Sequence, residues 1–307
     1  MRVFVTGASG WIGSAVTAEL LAAGNQVVGL ARSDASAQAV HESGAEVLRG
    51  DIQDLDVVRA GARDSDAVVH MAFRHDVAFR DGDVEAAVGS NQAAIEAIGE
   101  ELAGSDRPFA IASGVAGLTP GSLATEEERP EPLPGLGGRI LNERAALALA
   151  DRGVRSMSVR FSPTVHGAGD GGFIKLITEA DRGHGLAAYV GDGAARWPAV
   201  HVSDAARLVH LGIERAPAGS VLHAVAEEGV AMREIAEAIG VGLGIPAGSI
   251  TAEQAGEHFG FLAPFVAMDM PVSSAITREL LDWTPSGPGL VEDIAAGHYF
   301  EERALKY

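Results

Sequence analysis

Three glycines at every third position follow the first apolar run of the chain. Residues 6–13 read Thr-Gly-Ala-Ser-Gly-Trp-Ile-Gly, come directly after Val3-Phe4-Val5 and lead into a helical pattern. Glycine permits a tight turn and a close approach of backbone to a pyrophosphate, and a helix start offers free N–H groups. A second apolar run at 26–30 completes a strand–helix–strand unit, the context in which this pattern indicates dinucleotide binding. The residues predicted to contact the dinucleotide are Thr6, Gly7, Ser9, Gly10, Trp11, Ile12 and Gly13.

The end of the second apolar run distinguishes NAD from NADP. A carboxylate there binds the ribose 2′-OH of NAD, whereas the 2′-phosphate of NADP requires a cation. The chain has Ala31 at this point, followed by Arg32 and Ser33, which supply a cation and a hydroxyl donor. These residues favour NADP. A shift of one residue would bring Asp34 into the NAD position, so NAD stays open as an alternative.

The elements that must position these residues can be predicted from hydrophobic patterning. Short apolar runs without clean alternation, typical of strands covered on both faces, occupy 2–6, 26–30, 45–49, 66–71, 108–113 and 154–160. Helical spacing occupies 11–23, 34–43, 54–61, 83–103 and 137–152. Right-handed crossovers then give an α/β fold, a doubly wound parallel sheet of the Rossmann type that binds ligands at the carboxyl ends of its strands.

The pattern loosens after residue 161, where Gly and Pro clusters separate shorter elements. We therefore predict a dinucleotide-binding domain at 1–161 and a smaller C-terminal substrate-binding region at 162–198 and 227–307. Residues 199–226 contain a strand–helix–strand pattern that is expected to return to the first domain.

Further motifs appear in a definite order along the chain. Gly50-Asp51-Ile52 follows the third predicted strand, His70-Met71-Ala72 the fourth, and Asn91 lies in the next helix. Later segments are Arg160-Phe161-Ser162-Pro163-Thr164-Val165-His166-Gly167 and His201-Val202-Ser203-Asp204. With the glycine turn, this series resembles the extended, epimerase-like branch of the short-chain dehydrogenase/reductase superfamily over nearly the whole chain. The resemblance implies cofactor contacts from Asp51, Ile52, Met71, Ala72, Phe73, Asn91, Ser113, Pro163 and Val165.

The resemblance fails at the reaction centre. The family has a Tyr-x-x-x-Lys pair on the helix after the fifth strand, whereas this chain has Arg139 and Glu143 at those positions. Ser113, at the end of the fifth strand, matches the family's catalytic Ser, or caps a turn. Arg139 and Glu143 have the i, i+4 spacing of a solvated ion pair on a helix surface. Alternatively, Arg139 polarises a carbonyl or holds an anionic substrate.

Two other segments carry titratable groups. His166 stands where the family often has Tyr, at the mouth of the sheet, and is a candidate general acid. His70 is expected to be a structural residue at its strand end. Glu126, Glu127 and Glu128 lie in a Pro-rich loop at 114–136, expected to be solvated or a flexible lid.

Composition excludes several classes of function. The chain has 23 Lys plus Arg against 42 Asp plus Glu, a formal net charge of −19 at pH 7, so we expect no nucleic-acid or anionic-membrane partner. The absence of Cys excludes thiolate chemistry and disulfides. The pairs His75/Asp76 and His201/Asp204 are too sparse to indicate a metal site. Without an apolar signal core or spanning segment, a cytoplasmic location is expected.

Two functions remain in competition, ahead of a sugar-nucleotide epimerase or dehydratase, whose chemistry depends most on the missing Tyr. The first is an NADP-dependent oxidoreductase with an atypical active site, which transfers a hydride to or from a small carbonyl-type substrate; its catalytic candidates are Ser113, Arg139 and His166. The second is a non-catalytic NAD(P)-binding sensor or scaffold, which the missing Tyr and Lys support directly. The family resemblance also suggests a homodimer through the helices at 83–103 and 137–152.

Overall fold

A seven-stranded parallel sheet forms the centre of the protein. The computed structural model describes residues 1–132 and 137–301, except the side chains of residues 79 and 80. In the described part, the strand order is β10-β6-β5-β4-β1-β2-β3, and all six pairings are parallel. The strands are β1 (Arg2–Thr6), β2 (Gln26–Ala31), β3 (Glu46–Arg49), β4 (Ala67–His70), β5 (Pro108–Gly114), β6 (Arg155–Phe161) and β10 (Ser220–Ala224). The α/β doubly wound prediction is confirmed.

Helices cover both faces of this sheet because alternate strand residues point to opposite sides. Val3 and Val5 of β1 pack in one apolar cluster with α1 and α7, whereas Phe4 packs in the other with α3 and α4. These helices and their neighbours are α1 (Trp11–Ala22), α2 (Asp34–Glu42), α3 (Leu55–Arg63), α4 (Val84–Leu102), α5 (Gly138–Ala148) and α7 (Val202–Arg215).

Short polar side chains begin several of these helices. Ser33, Asp54 and Asp83 accept hydrogen bonds from backbone N–H groups of the first turns of α2, α3 and α4. Such caps satisfy N–H groups that have no partner within the helix. They set the points at which the chain leaves the carboxyl edge of the sheet.

A smaller region with its own apolar core follows. Its elements are β7 (Thr164–His166), α6 (Phe173–His184), β8 (Ala187–Val190), β9 (Arg196–His201), β11 (Glu227–Ala231), α8 (Met232–Leu243), β12 (Ala247–Ile250), α9 (Ala252–Phe259), α10 (Ala263–Val266), α11 (Ala275–Leu281) and α12 (Leu290–Ala295). The strands form two small sheets, β11-β9-β7 and β12-β8. Trp197, fully buried on β9, packs in this core with Ile235 and Leu290.

The chain returns to the central sheet between these elements. β10 pairs with β6, from Ser220 opposite Met157 to Ala224 opposite Phe161, and α7 packs against α1. Both lie within the segment 199–226. The domain boundaries themselves stay a prediction, and residues 133–136 and 302–307 of the predicted ranges lie outside the described residues. No helix in the described part is both long and apolar enough to span a membrane.

Candidate functional site

The glycine turn joins β1 to α1 in a conformation that side chains would block. Gly7 has φ +70°, and a Cβ there would lie 2.9 Å from the backbone N of Ala72. A Cβ on Gly13 would lie 2.0 Å from the carbonyl O of Gly7, whereas one on Gly10 would meet only that same oxygen, at 3.2 Å. Gly10 therefore leaves open space on its outer side. No side chain caps α1, so its first N–H groups are available to an anion.

Buried hydrogen bonds fix the strand ends beneath this turn. His70 Nδ1 lies 2.8 Å from Thr6 Oγ1, and His70 Nε2 lies 2.9 Å from Asn91 Oδ1. Burial lowers the pKa of His70 to about 4, so the ring is neutral at pH 7. An amide oxygen only accepts, so Nε2 carries the proton and Nδ1 accepts from the Thr6 hydroxyl. His70 is thus a structural bridge, and the oxygen of Asn91 is occupied by it.

Arg32, the residue after β2, lies in a network of alternating charges. Its Nη1 lies 2.9 Å from Asp76 Oδ2, and Arg74 Nε lies 3.1 Å from Asp76 Oδ1. Hydrogen bonds from Arg74 and then Arg32 hold the pKa of Asp76 well below its usual range. The Ser33 hydroxyl, predicted as a phosphate donor, accepts from the N–H of Ser36 and serves as the cap of α2.

Two cations at this corner were missed by the sequence reasoning. Arg49, the last residue of β3, donates to the Ser33 carbonyl and to Asp34 Oδ1, both at 2.7 Å. Arg74 Nη1 lies 3.7 Å from Asp51 Oδ1. The sequence does contain a signal for these two residues, because Arg49 precedes Gly50 and Arg74 follows Phe73, both of which belong to the predicted cofactor motifs.

Glu143 is buried against the sheet and is 3% exposed. It accepts from Ser158 Oγ at 2.8 Å and from Arg160, whose Nη2 lies 2.6 Å from Glu143 Oε1. Burial opposes ionisation, but hydrogen bonds from Arg160, Ser158 and Ser113 bring the pKa of Glu143 below its ordinary value. The predicted solvated Arg139–Glu143 pair is therefore wrong, because Glu143 lies on the sheet-facing side of α5 and is neutralised by Arg160.

Ser113 and Arg139 lie at the carboxyl edge of neighbouring strands. Ser113, 8% exposed, is the penultimate residue of β5. Arg139 lies in the first turn of α5, which leads back antiparallel into β6, so this turn is at the same edge. The Arg139 guanidinium stacks over the ring of Phe73, 4.6 Å from its centroid, and Phe73 follows β4.

His166 occupies a different environment from the one expected at a pocket mouth. Its ring is fully buried, Nδ1 lies 2.9 Å from Asp293 Oδ2, and the ring edge meets His201 at 5.5 Å between centroids. Its Nε2 has no hydrogen-bond partner in the described structure. The neighbouring Val165 contacts the glycine turn, because Trp11 Nε1 donates to the Val165 carbonyl at 2.8 Å.

The residues after β6 contribute one further polar group. Ser162, missed by the sequence reasoning, is 4% exposed, and its hydroxyl has no hydrogen-bond partner among the described residues. It precedes the predicted cofactor contact Pro163 at the carboxyl edge of the sheet. A buried hydroxyl without a partner is costly unless a ligand or water satisfies it.

The loop at 114–136 corrects another expectation. Glu126 is 3% exposed and accepts from both the N–H and the hydroxyl of Thr277, at 2.7 and 2.6 Å. The Glu128 carbonyl accepts from Arg160 Nη2 at 3.0 Å. A fully solvated acidic cluster is therefore wrong, because Glu126 anchors the described part of the loop to α11. Within residues 1–132 and 137–301, no three acidic or His side chains are placed to hold a metal ion.

Comparisons with known proteins agree with this arrangement. The family model described as "NAD dependent epimerase/dehydratase family" matches residues 3–224. The chain is 44% identical over 303 residues to "Uncharacterized protein C2A9.02" of Schizosaccharomyces pombe, covering 98% of this chain and 100% of that protein. It is 41% identical over 300 residues to "Uncharacterized protein YLL056C" of Saccharomyces cerevisiae, covering 97% and 99%. The structure of human epimerase family protein SDR39U1 with NADPH superposes with a TM-score of 0.76 at 20% identity, covering 97% and 99%.

Proposed function

This chain belongs to the NAD-dependent epimerase/dehydratase family, and from that premise we propose that it is an NADP-dependent oxidoreductase acting on a small carbonyl substrate. The observation that carries the proposal is the open glycine turn before the uncapped α1, set at the same sheet edge as Ser113 and Arg139. The bound dinucleotide would supply or accept the hydride.

The residues at this edge fit such a cofactor. Gly10 leaves room for a pyrophosphate that any side chain would fill, and the first N–H groups of α1 face that room. The unpartnered hydroxyl of Ser162 could bind a polar group of the ligand. The residues that would hold the dinucleotide are Gly10, Trp11, Ile12, Asp51, Ile52, Met71, Ala72, Phe73, Pro163 and Val165.

NADP is favoured over NAD by the charges at the end of β2. Ala31 removes the carboxylate that would bind a ribose 2′-OH, and Arg32, Arg49 and Arg74 bring three guanidinium groups to this corner. Asp34, the alternative ribose ligand, is held by Arg49 at 2.7 Å. In support, the similar human protein has a structure with NADPH.

The chain's own residues have separate tasks in the proposed reaction. Ser113 turns its one O–H from Glu143 to the carbonyl oxygen and stabilises the alkoxide that hydride transfer forms there, which then takes a proton from water. Arg160 and Ser158 keep Glu143 in place while Ser113 turns. Arg139 adds a positive charge that stabilises negative charge on the substrate. His166 stays a candidate from the sequence, but its burial against Asp293 favours a positioning role in the smaller region.

The second candidate is a sensor that binds the dinucleotide without turnover. It is favoured by Glu143, which stands at the position of the family's Lys and is bound within the protein by Arg160.

Measuring NADPH oxidation with a panel of aldehydes, ketones, imines and enones distinguishes the two candidates. Turnover above buffer supports the oxidoreductase. Tight NADPH binding measured by calorimetry, without turnover of any compound, favours the sensor. If the wild-type protein binds neither NADPH nor NADH, both candidate functions are contradicted.

A further inference from the structure

Arg139 differs from nearly all other cations of this acidic protein. With 42 acidic residues against 23 Lys plus Arg, carboxylates are plentiful. Among the cationic side chains that the structure describes, all but Arg139 and Arg152 donate to a carboxylate or another oxygen. Arg152 is exposed, so water solvates it, whereas Arg139 is partly buried.

The surroundings of Arg139 compensate its charge only in part. It stacks on Phe73, whose ring meets the edge of His75 at 5.1 Å between centroids. The carboxylate one turn along the helix, Glu143, is already bound by Arg160 and Ser158. Burial lowers the pKa of Arg139 by more than the nearby charge of Glu143 raises it, as expected for a charge that is removed from water without a hydrogen-bonded partner. Such a charge is costly unless an anion pairs with it.

Arg139 also lies where a substrate is expected. It is in the first turn of α5, a turn without acidic residues or a side-chain cap, at the carboxyl ends of β4 and β5. Ligands of open parallel sheets bind at this edge. Resting on the proposed function, we propose that Arg139 binds a carboxylate of the substrate, and hence that the substrate class is a small carbonyl compound bearing a carboxylate.

A carboxylate fits this site better than a diphosphate. The planar guanidinium fork matches the two oxygens of one carboxylate. A diphosphate carries more negative charge than one guanidinium compensates, and in the described part of the smaller region Arg182, Arg196 and Arg278 are already bound to oxygens. The aromatic ring of Phe73 beneath the guanidinium adds an apolar surface for the body of the ligand.

Ligand binding tests the anion site independently of turnover. Benzoate and its neutral isostere benzamide are titrated calorimetrically into the full chain, with and without saturating NADP⁺. We expect benzoate to bind at least tenfold more tightly than benzamide. Arg139→Gln should abolish the difference, Arg139→Lys should keep part of it, and Arg152→Gln, which alters the other unpaired arginine, should leave it unchanged. Thermal unfolding of each variant verifies its fold.

Turnover then separates this proposal from the proposed function. NADPH oxidation is measured with benzoylformate and with its methyl ester. In the wild-type protein we expect kcat/KM for the acid to be at least tenfold higher than for the ester, and in Arg139→Gln we expect no such preference. Benzoate binding that depends on Arg139, without turnover of either compound, supports the anion site and contradicts the oxidoreductase. Equal binding of benzoate and benzamide, or a benzoate preference that survives in Arg139→Gln, overturns the anion site whether or not turnover occurs.

Discussion

Glu143 and Arg160 lie 17 residues apart in the chain and form a buried ion pair, in which Arg160 Nη2 donates to Glu143 Oε1 at 2.6 Å. The side chains are 4% and 1% exposed, and Ser158 donates a further hydrogen bond to the same carboxylate. The pair ties α5 to β6 and holds the acid beside Ser113. Because Arg160 and Ser158 bind this carboxylate, Arg139 makes no hydrogen bond to the helical partner that the i, i+4 spacing suggests and interacts with it only electrostatically.

Glu143→Gln should destabilise the fold by about 3–5 kcal/mol, because it leaves the Arg160 charge buried without compensation. Urea unfolding measures the change. The control Glu131→Gln, at an exposed pair with Arg144, should have no measurable effect. The pKa of Glu143 is lowered in the folded state, so its stabilisation is present above about pH 4.5, the ordinary value, and is lost as the pH falls through the folded pKa. Equal stability of wild type and Glu143→Gln at pH 7 would contradict the assigned pairing.

The proposed binding of NADP at the end of β2 predicts opposite effects for two substitutions. Arg32→Ala should weaken NADPH binding about tenfold or more and leave NADH binding unchanged, because only the 2′-phosphate needs the cation. Asp76→Ala should strengthen NADPH binding, because Asp76 pairs with both Arg32 and Arg74. Fluorescence titration measures both affinities, with Arg63→Ala as a control at a distant exposed pair. Unchanged NADPH affinity in Arg32→Ala would remove Arg32 from the cofactor site.

Two glycines of the turn have different expected roles: Gly10 in dinucleotide binding and Gly13 in the stability of the fold. Gly10→Val should abolish dinucleotide binding while the fold persists, because its Cβ meets only the Gly7 carbonyl, at 3.2 Å. Gly13→Ala should destabilise the protein itself, since its Cβ would lie 2.0 Å from that oxygen. Calorimetric binding and thermal unfolding provide the two measurements. Gly89→Ala, whose Cβ enters open space on α4, should leave binding unchanged and should not lower thermal stability, since Ala favours a helix more than Gly does. Wild-type affinity in Gly10→Val would show that dinucleotide binds elsewhere.

Ser113→Ala should lower kcat/KM at least tenfold, about 1.4 kcal/mol of transition-state stabilisation, with NADPH affinity unchanged. The reason is that, in the proposed reaction, Ser113 turns its O–H from Glu143 to the reacting carbonyl. His166→Gln should instead lower thermal stability, because it breaks the buried contact with Asp293, and should change kcat/KM less. Steady-state kinetics with the best compound of the carbonyl panel measures both. The reverse order of effects on kcat/KM would move the proton-donating role to His166.

Asp170 makes stability depend on pH. Burial raises its pKa to about 6, although Gly172 N–H and Tyr299 O–H donate to it. The folded state therefore binds a proton more tightly than the unfolded state, and stability declines as the pH rises from about 4 to about 6. Asp170→Asn should remove this decline, worth up to about 3 kcal/mol at 1.4 kcal/mol per unit. Urea unfolding at pH 4 and 8 measures it, with the exposed Asp151→Asn as a control. The same pH dependence in Asp170→Asn would refute the assignment.

Local patterns were sufficient for the framework of this protein. The glycine spacing, the strand at 2–6 and the strand at 108–113 are properties of neighbouring residues, and the structure has β1 at Arg2–Thr6 and β5 at Pro108–Gly114. The Ala31-Arg32 sequence likewise indicated a cationic corner, because the strand end itself places those residues there. Hydrophobic periodicity and turn chemistry act over a few residues, so sequence alone determined the parallel sheet and its glycine turn.

The pairing of charges was decided only by the tertiary structure. The i, i+4 spacing predicted an ion pair between Arg139 and Glu143. In the structure Glu143 instead pairs with Arg160 of the sheet, and Arg139 stacks on Phe73. The sequence predicted that Glu126 is solvated, but its side chain is buried and accepts a hydrogen bond from Thr277, which is 151 residues away in the chain. An ion pair depends on which side chains meet in a site of low dielectric constant, and every acidic residue has many candidate partners along a chain of 307 residues. The packing of α5, α11 and the sheet selects among those partners, and no local pattern contains that packing.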